Sequence, residues 1–159
     1  MIFSHIHHKN MTTSPSIIKS AIEALNTEIS GIKLVKRTFD SNFVAAIKEL
    51  SKVKGRVIIT GIGKSGHIAN KIASTMSSTG TPAQFCHSNE MSHGDLGVLS
   101  NKDILIIISN SGNSAELKDA ISFSKKNKIK TIGISSNTNS ELMQSVQYPL
   151  LLSTAKEAC

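Results

Sequence analysis

The chain has 159 residues, 39% of them hydrophobic and 18% charged, and 18 Lys and Arg against 11 Asp and Glu leave a formal charge of +7. That length suits one globular domain at roughly 150 residues per domain and can hold a core without disulfides, and the lack of any apolar run near about 18 residues excludes a membrane-spanning helix. Cys86 and Cys159 are too few for a disulfide scaffold and point to a reducing, cytoplasmic compartment, and one Tyr with no Trp supplies few platforms for nucleic-acid bases, so the basic excess is read toward phosphorylated small molecules and not toward nucleic acid or membrane.

Residues 1–13 read as a disordered tail, without the apolar core of a signal peptide and with Met11 as an alternative start. His5, His7 and His8 are read as part of that tail, metal binding being the alternative. Pro15 sits where a first helical turn tolerates it, and Ile17, Ile18, Ala21, Ile22, Leu25, Ile29 and Ile32 recur at helical spacing. A second helix follows, with Asp40 or Ser41 as its cap and Phe43, Val44, Ile47 and Leu50 along one face.

After Gly55 the pattern changes. Arg56-Val-Ile-Ile-Thr60 is a β-branched run typical of a strand buried on both faces, and it enters the glycine-rich segment Gly61-Ile-Gly-Lys-Ser-Gly66. A helix over about Ser65 to Ser78 follows, with Ile68, Ile72, Ala73 and Met76 inward. Strands are expected at Ala83–Cys86, Asp103–Ile108, Thr131–Ile134 and Tyr148–Leu152, with helices at about Ser114 to Lys126 and Ser140 to Val146. Lys125, Lys126, Lys128 and Lys130 form the densest basic cluster, read as a solvated helix end. Strands alternating with helices imply an α/β fold: a five-stranded parallel sheet, helices on both faces, in the flavodoxin-like αβα order.

In such a sheet ligands sit beyond the carboxyl ends of the strands, which directs attention to four loops, 61–67, 87–97, 109–116 and 135–139. Gly61, Gly63 and Gly66 match G-x-G-x-x-G, but no acid ends the next strand, as a dinucleotide site requires, and Ile58 stands where a P-loop needs glycine. What remains is a glycine turn at a helix start, with Lys64 and Ser65, suited to an anion; the bland alternative is a tight turn alone. Ser109, Ser111 and Ser114 around Gly112 make a neutral cradle for phosphate, against the alternative that Ser114 merely caps its helix. The loop from His87 to Gly97 holds His87, Glu90, His93 and Asp95, and three readings stay open: acid–base residues, a metal site, or a hydrogen-bonded structural loop.

Taken together, GIGKSGH (61–67), STGTPA (78–83), EMSHGDLG (90–97), SNSGNSAE (109–116) and KEAC (156–159) resemble the sugar isomerase (SIS) domain family, and within it the bacterial arabinose-5-phosphate isomerases. The resemblance covers residues 14–159. It implies reversible isomerisation of D-arabinose 5-phosphate and D-ribulose 5-phosphate, in lipopolysaccharide sugar-acid biosynthesis, without a cofactor. It assigns catalysis to Lys64, Glu116 and Glu157, and substrate and phosphate binding to Gly63, Ser65, His93, Ser109, Ser111 and Ser114. No metal is required, although His93 can serve as a ligand for an inhibitory zinc. A homo-oligomer, dimer or tetramer, is implied.

Two departures from the family pattern stand out. Asn113 occupies a position where these isomerases usually carry glutamate, with a local effect expected. The chain also stops at Cys159, where relatives continue with a helix, a further catalytic histidine and often CBS modules. The expectation is therefore a C-terminally truncated domain of weak or no activity, with apolar surface left open. The alternatives to an isomerase are a non-catalytic phosphosugar-binding module or an inactive remnant.

Overall fold

A computed structural model describes residues 14–158, so the tail, its histidines, Met11 and Cys159 lie outside the described residues. The chain forms two compact units: one runs to Arg37 and includes the segment from Ser153, and the other is Thr38–Leu152. No helix among the described residues is long and apolar enough to cross a membrane.

The first unit is built on helix α1 (Ser14–Val35). The Ser153 hydroxyl donates to the Leu34 carbonyl, and the Ala155 methyl packs beside Gly31. None of the side chains of α1 is buried.

The second unit opens with α2 (Ser41–Leu50), capped by Asp40, whose carboxylate accepts from the Phe43 amide at 3.0 Å. It buries Ala46, and Leu50 packs on the same core, while Val44 and Ile47 stand about half exposed. Strands β1 (Val57–Gly61), β2 (Ala83–Phe85), β3 (Ile104–Ile108), β4 (Lys130–Ser135) and β5 (Tyr148–Leu151) form one parallel sheet in the order β2-β1-β3-β4-β5. This is the doubly wound order expected from the alternating pattern. Successive residues point to opposite faces of the pleated strands, and the core divides accordingly. Val57, Ile59, Ile104, Ile106 and Ile108 join Ala46 of α2 and Ala69 and Ala73 of α3 (Lys64–Ser78) on one side. Ile58, Leu105 and Ile107 meet Met91 of α4 (Ser88–Ser92), Ile121 of α5 (Lys118–Lys126) and Leu142 of α6 (Glu141–Ser145) on the other.

Three local expectations are corrected. In α3, Ile68 is 55% exposed, because the small residues Gly66, Ala69 and Ala73 form the face that lets the helix lie close to the sheet. The helix after the serine loop begins as a 3₁₀ turn, Ala115–Leu117, before α5. The His87–Gly97 loop contains α4 and a 3₁₀ turn at Asp95–Val98, because Met91 and the half-buried Leu96 pack onto the core.

Candidate active site

Chain order reverses direction in the sheet between β1 and β3, and their carboxyl ends part to leave a cleft of about 280 Å³. Ser65, Ser109, Asn110, Ser111 and Ser114 line it, on an apolar floor of Ile62, Ile108 and Leu117. All four predicted phosphate serines therefore meet in one place. Gly63 supplies the turn into α3 at φ +55°, a conformation glycine adopts without strain. The first turn of α3 leaves amide N–H groups without intrahelical acceptors, so positive potential gathers beside the cleft.

The serine hydroxyls are held as donors. Ser109 Oγ accepts from the Gly112 amide at 3.1 Å, and Ser111 Oγ accepts from the Asn113 amide at 3.4 Å. Neither hydroxyl donates to a protein acceptor among the described residues. Ser114 occupies the cap position of the 3₁₀ turn but makes no capping hydrogen bond, which removes the reading that it is only a cap. Hydroxyl hydrogens thus remain for a ligand rich in acceptor oxygens.

Residues assigned no role from sequence, mostly in the 135–139 loop, hold the serine loop in shape. The β4–α6 loop rises against it: Ser135 Oγ donates to the Asn110 carbonyl at 3.0 Å, and Ser136 Oγ donates to the same carbonyl at 2.9 Å. Asn137 Nδ2 donates to the Ser111 carbonyl, and Asn113 Oδ1 accepts from the Glu141 amide at 2.9 Å. Asn113 thereby links the serine loop to the start of α6. Gly112, at φ +68°, lies against Ser140, and a Cβ there would fall 2.2 Å from Ser140 Oγ. The signal in sequence is the run Ser135-Ser-Asn-Thr-Asn-Ser140 after a buried strand, rich in short side chains that bond backbone.

The reactive groups are placed less closely. Lys64 and Glu116 are exposed, each one residue from a lining residue, Ser65 and Leu117. His93 is exposed at the C-terminal end of α4, its amide donating to the Glu90 carbonyl. No group of three potential metal ligands occurs among the described residues. Glu157 is exposed and belongs to the unit that contains α1. Cys86 is buried near Asp95; burial first, and the Asp95 carboxylate second, push its thiol above the ordinary range, so it stays protonated and inert.

Residues 49–159 match the SIS domain. The chain belongs to the SIS domain family. Over 147 residues it is 45% identical to arabinose 5-phosphate isomerase KdsD of Francisella tularensis, covering 91% of this chain and 45% of that protein. It is 37% identical to the enzyme of the same name from Pseudomonas aeruginosa, covering 94% of this chain and 46% of that one. The chain thus spans less than half the length of these curated relatives. An Escherichia coli CFT073 protein solved in complex with arabinose 5-phosphate superposes with a TM-score of 0.81 at 35% identity, over 92% of this chain and 78% of that one. The SIS fold and the relation to arabinose 5-phosphate isomerases, both expected from the motifs, are borne out.

Proposed function

We propose that this SIS domain is a phosphosugar aldose–ketose isomerase that interconverts D-arabinose 5-phosphate and D-ribulose 5-phosphate in the cytoplasm. The observation that carries the reading is the cleft between β1 and β3, where Ser65, Ser109, Ser111 and Ser114 present hydroxyl donors beside a helix start. A phosphate dianion offers the matching acceptors. Similarity to proteins named arabinose 5-phosphate isomerase, and to one solved with that sugar phosphate, supports this choice of substrate.

The reaction moves one proton between adjacent carbons and another between their oxygens, through a cis-enediol or enediolate, with no net oxidation. It needs a base at the carbon and a cation near the developing oxyanion. Lys64 is proposed to stabilise the oxyanion. Glu116 and Glu157 are the candidate bases, Glu157 on the strength of the motif resemblance. His93 is proposed to contact the sugar, and Gly63 to shape the turn that presents Lys64 and Ser65.

The test is an isomerase assay with arabinose 5-phosphate, detecting ribulose 5-phosphate, on the chain and its Glu116→Gln, Glu157→Gln and Lys64→Met variants. Any turnover is expected to be weak in this chain, and to fall by roughly 10²–10⁴-fold in kcat when whichever glutamate is the base is replaced. No turnover, with arabinose 5-phosphate still raising the melting temperature, would sink the catalytic reading and leave a binding module.

A further inference from the structure

The sheet has a second cleft, at its amino edge, away from the serines. Its volume is about 330 Å³, and it is lined by Lys52, Lys54, Lys102 and Lys130, with Glu49 and Asp103. Parallel pairing explains the gathering. Lys52 and Lys54 precede β1, Lys102 precedes β3, and Lys130 opens β4, so three neighbouring strands begin with lysines at one edge. The Gly55 amide donates to the Lys102 carbonyl at 2.9 Å and draws two of these segments together. A Cβ at Gly55 would lie 2.1 Å from Asp103 Oδ1 and 3.0 Å from the Lys102 backbone, so this closeness requires glycine.

The two acids in the cleft are already engaged. Asp103 accepts from the Arg56 amide at 2.6 Å and from the amide and hydroxyl of Ser100, both at 2.8 Å. Glu49 pairs with Lys130. Lys52, Lys54 and Lys102 have no ion pair among the described residues. Asp103's partners are neutral and leave its charge in place, so four lysines against two carboxylates give the concave surface a formal excess of two positive charges, with Lys52, Lys54 and Lys102 outside any ion pair. Lys125, Lys126 and Lys128, on the segment leading into β4, add to the potential along the same edge. The arrangement lacks aromatic side chains and is a pocket, not a stripe, which fits a compact anion better than a nucleic-acid strand.

We infer that this amino-edge cleft binds a multivalent phosphate, either the phosphate chain of a nucleotide or a free polyphosphate, at a site separate from the serine cleft. The strands between the two clefts are five residues long in β1 and β3, or roughly 16 Å at about 3.3 Å per residue. Occupancy of one site thus does not block the other.

The experiment is calorimetric titration of the whole chain with inorganic tripolyphosphate and, separately, with ATP. Lys54→Gln combined with Lys102→Gln is expected to weaken binding roughly tenfold or more, because two of three unpaired charges are removed. Glu49→Gln is expected to tighten it severalfold by freeing Lys130, an effect that general damage to the fold would not produce. Ser109→Ala with Ser111→Ala removes the phosphate hydroxyls of the serine cleft, and the lysine-dependent binding is expected to persist in that background. Equal affinities for tripolyphosphate and ATP would identify phosphate alone as the recognised group, and tighter ATP binding would add the nucleoside. Loss of tripolyphosphate binding in the serine variant with retention in the lysine variant would overturn the site. So would the absence of binding to both probes, or binding of a single-stranded oligonucleotide only. None of these outcomes depends on whether the chain isomerises a phosphosugar.

Discussion

Gly112 holds a tightly constrained backbone position in the serine loop. Its amide donates to Ser109, its carbonyl accepts from the Leu142 amide, and its α-carbon faces Ser140. Ser140 is itself fully buried, and its hydroxyl donates to the Asn137 carbonyl at 2.7 Å. Gly112→Ala must therefore displace Ser140 and hold a side chain at positive φ, a strain on the order of 1–3 kcal/mol. We expect a lower melting temperature and a loss of arabinose 5-phosphate binding, read by thermal shift with and without the sugar. Gly97→Ala is the control: a Cβ there meets nothing within 4 Å, and neither property should change much. Lys128 illustrates the same rule from the other side, as the non-glycine residue at positive φ, 56°, among those described, at the end of α5.

Among elements, the loop before β3 is fixed to the loop before β1 by Asp103. Burial raises the carboxyl's pKa, but hydrogen bonds from Arg56 and Ser100 outweigh it, and the net effect is to hold it below the ordinary 3.8. A depressed pKa stabilises the fold above the unfolded value and is lost as pH falls through the folded one. Stability should thus drop on acidification below about pH 4, and Asp103→Asn should flatten that part of the profile. The same variant should cost about 1–3 kcal/mol at neutral pH, measured by urea unfolding, because buried donors lose a charged acceptor.

Elements are also the scale most fully legible in the sequence. The β-branched runs at 57–61 and 104–108 are too apolar to lie anywhere but the sheet centre, and the serine loop carries its chemistry in adjacent residues. Legibility fails where tertiary contact decides. Ile68 reads as inward by hydrophobicity, yet close approach to the sheet selects the small residues of α3. The brace from Ser135, Ser136 and Asn137 links residues about 26 apart, and no local pattern reports such a pairing. The lysine cluster at 125–130 is visible in sequence, but its partners Lys52, Lys54 and Lys102 join Lys130 only through strand order.

At the scale of the whole molecule, α1 carries an apolar seam. Ile18, Ile22, Leu25, Ile29 and Ile32 alternate four- and three-residue steps, the spacing of a coiled-coil interface, and are 46–71% exposed. A second copy of the chain, presenting the same seam, is the partner we propose for it. Ile22→Lys with Ile29→Lys is expected to reduce the mass in light scattering to that of a monomer. An unchanged mass would show that any oligomer uses another surface.

The position of β1 also bears on how the chain comes to be folded. It has to pair with β3 along its whole length, and that register joins Val57 to Ile104. A ribosome will have released the most apolar early strand well before the segment that completes its pairing exists. Val57–Gly61 must wait for that closure with backbone groups unpaired on one side, during which it can pair with other chains instead. Sheet formation is thereby tied to a long-range closure, the kind of step that slows folding, and this delay comes from the same strand order that opens the serine-lined cleft.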